Sequence, residues 1–154
     1  MFLFKLQSVL DYRKTLEEKC LVEYSDSLKY LEKEKNILET LKRRKEVLMN
    51  QFLKMQEGDL NSSEIASYVS FIRHMTDKER GQQAAVRKAE EVVEKKRVEL
   101  LEAVKKRKVM ENLKERKKEE YRSEVEAKER KEMDEFGITK FQSKVESEET
   151  DHSL

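Results

Sequence analysis

No proline occurs anywhere in this 154-residue sequence, and its only glycines are Gly58, Gly81 and Gly137. Proline and glycine are the residues that end helices, so a chain almost without them lets a helix propagate until something else stops it. Charged side chains make up 44% of the sequence and hydrophobic ones 36%, a balance too polar for an ordinary compact core. Long helices with a narrow apolar stripe satisfy both constraints. Disorder is the competing outcome for such a composition, but unfolded chains usually carry a large net charge, and here it is only +1.

The stripe is visible in a seven-residue repeat. Leu6, Leu10, Cys20, Tyr24, Leu31, Leu38, Leu41, Leu48, Phe52 and Met55 recur at alternating three- and four-residue steps, with Arg13, Glu17, Ser27, Glu34 and Lys45 filling the gaps. The pattern breaks at "QEGDLNSSE", where Gly58 can end a helix and Asn61, Ser62 or Ser63 can cap the next. It resumes through Ile65, Tyr68, Ile72, Met75, Val86, Ala89, Val93, Leu100, Ala103 and Met110, interrupted by Glu79, Gly81, Gln82 and Gln83. A short turn favours antiparallel neighbours, because the second stripe can then cover the first without a long crossover.

The expected fold is therefore all-α, a long antiparallel two-helix coiled-coil hairpin. Residues 1–136 form it, with helix one over about 3–56, a turn over about 57–63 and helix two over about 64–136. Helix one would be about 80 Å long at about 1.5 Å per residue. Register pivots near Asp59 and Leu60, which sets Phe52 against Ile65 to Val69, Leu38 and Leu41 against Glu79 to Gln83, and Leu6 and Leu10 against Met110 to Lys114. Helix two overhangs beyond Lys118, Gly137 permits a stop near Phe136, and 137–154 read as a flexible acidic tail.

The opening "MFLFKLQSVLDYRKTLEE" is too short and too interrupted for a secretory signal, and nothing approaches the roughly 20 apolar residues of a membrane span. Its density instead closes the open end of the hairpin against Val109, Met110, Leu113 and Tyr121, leaving Phe2 and Phe4 exposed. The lone Cys20 excludes an intrachain disulfide and points to a reducing compartment.

Chemistry is hard to find. There is no phosphate-binding glycine loop, and His74, His152 and Cys20 are too dispersed to ligate a metal. Paired carboxylates such as Glu119 and Glu120 point in different directions on a helix. No catalytic residue, cofactor or metal is expected. From Arg87 to Lys118 there are thirteen Lys and Arg against seven Glu, but the signs alternate as on a solvated coiled-coil face, and no nucleic-acid module is present. More informative are Ile37, Leu41 and Leu48 on helix one with Tyr68, Phe71 and Met75 on helix two, a partly exposed docking patch with Phe71 outermost.

The sequence resembles the FliJ family of the bacterial flagellar type III export apparatus. The resemblance rests on the opening "FKLQSVLDYRKTLEE", on "ASYVSFI" after the turn, on "KKRKVMENLKER", and on "RKEMDEF", in which Met133 to Phe136 match a recurring terminal motif. It implies a non-enzymatic stalk similar to the central stalk of rotary ATPases. The implied partners are the export ATPase FliI, the export-gate protein FlhA and vacant export chaperones. Carried onto this chain, the ATPase-ring contact would comprise Phe2, Leu3, Phe4, Leu6, Leu10 and Arg13 with Leu113, Arg116 and Phe136. The export-gate contact would comprise Leu41, Leu48, Tyr68, Phe71 and Met75, with Arg44 and Leu48 standing where some relatives have aromatic residues. The implied setting is cytoplasmic, peripheral to the inner membrane at the flagellar base, with the free protein a monomer. A virulence-injectisome stalk and a generic structural or stator rod are the alternatives, the last expected to self-dimerise.

Overall fold

The computed structural model describes residues 1–58 and 61–151. Two helices account for nearly all of them, α1 over Gln7–Met55 and α2 over Ser62–Asp151, packed against each other with no strand among the described residues. The all-α hairpin expected from the seven-residue repeat is what the chain adopts. The expected pivot at Asp59 and Leu60 lies outside the described residues, as does His152. The structure resolves into two compact units, one of Met1–Tyr12 with Arg107–Leu154 and one of Arg13–Lys106.

In the Arg13–Lys106 unit the seam follows the repeat closely. Cys20, Tyr24, Ser27, Leu31, Glu34, Leu38, Leu41, Lys45, Leu48 and Phe52 are all buried or half-buried on α1. Tyr68, Ile72, Met75, Glu79, Gln82, Val86, Ala89, Val93, Lys96, Leu100 and Ala103 are so on α2. Contacts between the helices run in opposite senses along the chain. The Phe52 and Tyr68 rings lie 5.6 Å apart, Lys45 Nζ is 3.2 Å from Glu79 Oε2, Gln82 Nε2 donates to the Glu34 carbonyl at 3.0 Å, and Lys96 Nζ is 3.1 Å from Glu23 Oε2. The helices are antiparallel, and Phe52 faces the expected segment.

Two seam assignments in this unit do not hold. Met55 and Ile65 are exposed, because they sit where the two helices give way to the connection. Gln83 also faces solvent, so the expected polar interruption is narrower than it looked. Gln82 and Glu79 fill their seam positions with interhelical partners, which replaces a soft stretch with polar rungs.

Caps explain where the helices begin. Asn61 Oδ1 accepts the Glu64 backbone N–H at 2.9 Å and Asn61 O accepts that of Ile65, so Asn61 is the N-cap of α2. Glu64 in the first turn of α2 and Lys54 in the last turn of α1 complement the helix dipoles.

In the Met1–Tyr12 and Arg107–Leu154 unit, helix one starts at Gln7 rather than near Leu3. The chain turns before it, with the Phe4 carbonyl accepting the Gln7 N–H at 3.1 Å, and the turn carries Phe4 inward. Leu10 is only 1% exposed, the most completely buried large side chain described. α2 does not stop at Gly137 but continues to Asp151, through the segment expected to be a frayed tail. Gly137 has no positive φ, and a glycine inside a helix costs only about 1 kcal/mol relative to alanine, too little to end a helix whose flanks contain no proline.

Candidate interaction surfaces

In the unit that holds the chain's first twelve residues, the candidate side chains divide sharply. Phe2, Leu3, Phe4 and Leu6 line one concavity with Leu113 and Tyr121, bordered by Lys5, Lys117, Glu120 and Glu124. Phe2 is half-buried, its ring 5.8 Å from that of Tyr121 and inclined at 46°. Leu3 is exposed, and Leu6, expected in the seam, is 42% exposed. Phe4, expected to stay in solvent, is buried, because the turn before Gln7 points it at the helices. Of the expected covering residues, Met110 and Leu113 are half-buried and Val109 faces outward.

Arg116 and Phe136 are exposed farther along α2. Phe136 shares a shallow concavity with Met133 and Gly137, framed by Glu126, Glu129, Arg130 and Glu132. Arg13 belongs to the other unit, where it is half-buried. The structure thus brings Phe2, Leu3, Phe4, Leu6 and Leu113 together and leaves Arg116 and Phe136 apart from that group.

The second surface lies wholly in the Arg13–Lys106 unit. Leu41 and Leu48 are seven residues apart on α1, and Tyr68, Phe71 and Met75 follow one another at three- and four-residue steps on α2, so each set lies along one helix flank. Phe71 is 61% exposed, while Leu41, Leu48, Tyr68 and Met75 are half-buried. Three shallow concavities lie end to end here. The first contains Ile37, Leu41 and Arg44, the second Arg44, Val47 and Leu48, and the third Leu48, Tyr68 and Phe71. Thr40 and Arg44 belong to the first two, and Leu48 and Gln51 to the last two, which makes them one continuous groove. Its rim carries Lys29, Lys33, Arg43 and Arg44 against the carboxylate of Glu32. Sequence reasoning found the apolar floor but not this rim, whose signal was Lys29 and Lys33 with the run "LKRRKEVL", read together with their helix face.

Of the ion pairs in this unit, Lys96–Glu23 bridges the two helices and Arg97–Glu94 lies exposed on α2. Hydrogen bonds that the Lys96 ammonium donates to Glu23 and Glu99 hold it above the ordinary lysine range, and the Arg97 guanidinium holds the Glu94 carboxyl below the usual carboxylate range. No group of three or more metal-ligating side chains occurs among the described residues, and His74 is exposed. No described helix is long and apolar enough to cross a membrane. Each unit presents an apolar concavity bordered by charged side chains.

No curated protein and no solved structure matches the chain. A sequence model of the family described as "Flagellar FliJ protein" matches residues 1–146, nearly the full length and including both surfaces. This antiparallel helical hairpin therefore belongs to the flagellar FliJ protein family, whose members are components of the flagellar protein export apparatus.

Proposed function

We propose that this chain is the coupling stalk of the export apparatus, binding the FliI ATPase ring at one surface and the FlhA export gate at the other. The observation that carries this reading is that each compact unit presents its own apolar surface, one around Phe2, Leu3 and Leu6 and one around Phe71. Exposed apolar side chains set among charged neighbours mark protein-binding sites.

In this reading the ATPase contact uses Phe2, Leu3, Leu6, Leu113 and Arg116 with Phe136. Phe4 and Leu10, both buried, shape that surface from beneath it. The gate contact uses Phe71 over Leu41, Leu48, Tyr68 and Met75. The protein works without a reaction of its own, by biasing ring subunits and tying the ring to a membrane-bound gate. It is a monomer when free, escorts export chaperones, and acts at the cytoplasmic face of the inner membrane.

The test is to add the purified chain to FliI and to measure ring formation and ATPase rate. Stimulation that Leu3→Asp abolishes, together with FlhA capture that Phe71→Ala abolishes, is the expected result. No effect on FliI and no capture of FlhA would sink the reading, and sedimentation as a stable dimer would favour a self-assembling rod.

A further inference from the structure

The groove on the Arg13–Lys106 unit has a sign as well as an apolar floor. From Lys29 to Gln51 it follows α1 for about 33 Å at about 1.5 Å per residue. Four cations and one carboxylate stand along its rim. Lys78, exposed and seven residues beyond Phe71, adds a further positive charge on the same flank of α2. Arg43 pairs with Glu39 at 3.3 Å on the solvent side, leaving the net charge of the groove positive.

We propose that this groove receives an acidic amphipathic helix of a partner protein. Its apolar anchors would rest on Ile37, Leu41, Leu48 and Phe71, and its carboxylates would meet Lys33 and Arg44. The proposal rests on the reading of this surface as the gate contact and adds the chemistry of what docks there.

Three features select that occupant. The lining comes from α1 alone along the first two concavities and from both helices at the third, so no sheet edge is present to take an extended strand, and packing of a helix is the mode that remains. Ile37, Leu41 and Leu48 fall at steps of four and seven, the spacing with which anchors of a docked helix repeat. The floor is recessed, with Leu41 and Leu48 half-buried below an arginine rim. Side chains projecting from a helix reach it, whereas a flat bilayer surface meets the rim alone. Complementary charge then fixes the partner's sign.

The test uses the full chain and a fluorescent 20-residue helical peptide carrying Leu at four- and seven-residue steps with flanking Glu, beside the same peptide with Gln for every Glu. The acidic peptide is expected to bind at least about tenfold more tightly. Arg43→Glu with Arg44→Glu is expected to weaken it about tenfold while leaving thermal melting and the Lys88→Glu control unchanged. Equal binding of the two peptides, or binding of neither, overturns the proposal. So does binding of phosphatidylserine vesicles, lost on the same charge reversal, in the absence of peptide binding. The cytoplasmic part of FlhA separates the two readings. If it binds through Phe71 yet ignores the charge reversal, the acidic inference falls and the gate contact stands. If it does not bind while the acidic peptide behaves as expected, the gate contact falls and the groove keeps its specificity.

Discussion

Gln82 reaches across the Arg13–Lys106 unit to Glu34, donating from one side-chain nitrogen to both the backbone carbonyl and the carboxylate of that residue. Glu34 is 9% exposed, so the amide supplies hydrogen bonds that water largely cannot. Gln82→Ala should therefore cost about 1–3 kcal/mol, the range for stranding a buried polar group. Urea denaturation measures this. Replacing both residues with leucine should restore or raise stability while allowing more than one association state by sedimentation, since a buried polar pair specifies register at the expense of stability.

Leu6, in the turn before α1, and Leu10, inside α1, are four residues apart and should behave oppositely. Leu10→Ala removes a fully buried side chain and should cost about 2–4 kcal/mol. Leu6→Ser should change stability by less than about 1 kcal/mol, because that side chain is already half in water. Thermal melting distinguishes them, and equal losses would show that both side chains are buried in solution.

Phe2 is held by the ring of Tyr121. Tyr121→Ala should free the first residues, seen as faster hydrogen exchange at amides 7–10, with a loss of about 0.5–1.5 kcal/mol for the ring pair beyond its buried area. Tyr121→Phe should keep most of the protection.

Gly81 and Gly137 lie inside α2, and a Cβ added at either meets nothing within 4 Å. Gly81→Ala and Gly137→Ala should each stabilise by about 0.5–1 kcal/mol, measured by circular dichroism during melting. A destabilised Gly81→Ala protein would show that the seam near Gln82 needs a chain without a side chain there.

Charge pairing sets the pH response. Lys96 titrates above the ordinary lysine range when folded, so its contribution is present below that range and is lost as pH rises through the raised value. Glu94 titrates below the usual carboxylate range, so its contribution is present above that range and is lost as pH falls through the lowered value. Denaturation midpoints of the wild type and of Lys96→Met should differ by a constant amount at neutral pH and converge at strongly alkaline pH. For Glu94→Gln the convergence should come at acid pH.

How much of this was legible in the sequence depends on the scale at which each feature is written. The seam from Cys20 to Phe52 and from Tyr68 to Ala103 follows from a repeat that needs only residue type and spacing. The Asn61 cap and the Phe52 contact follow from local chemistry and a counted register. What escaped was set by tertiary balance. Phe4 turns inward only because the chain breaks helical form before Gln7. α2 passes Gly137 because one weak residue does not stop a helix. The polar positions Glu34, Gln82, Lys45 and Glu79 read as gaps, since a sequence names the side chains but not whom they reach. At the groove, the floor was legible as periodicity, and its cationic rim emerged only when Lys33, Arg43 and Arg44 could be placed around it.

Those crossed polar pairs have a mechanical consequence. Sliding α2 by one heptad would bring Met75 or Ala89 to the place of Gln82, and neither can donate a hydrogen bond to Glu34. Lys45 would likewise lose Glu79, so every shifted alignment forfeits several contacts at once. The two helices of this unit are therefore keyed, and a push on one arrives at the matching point of the other without backlash.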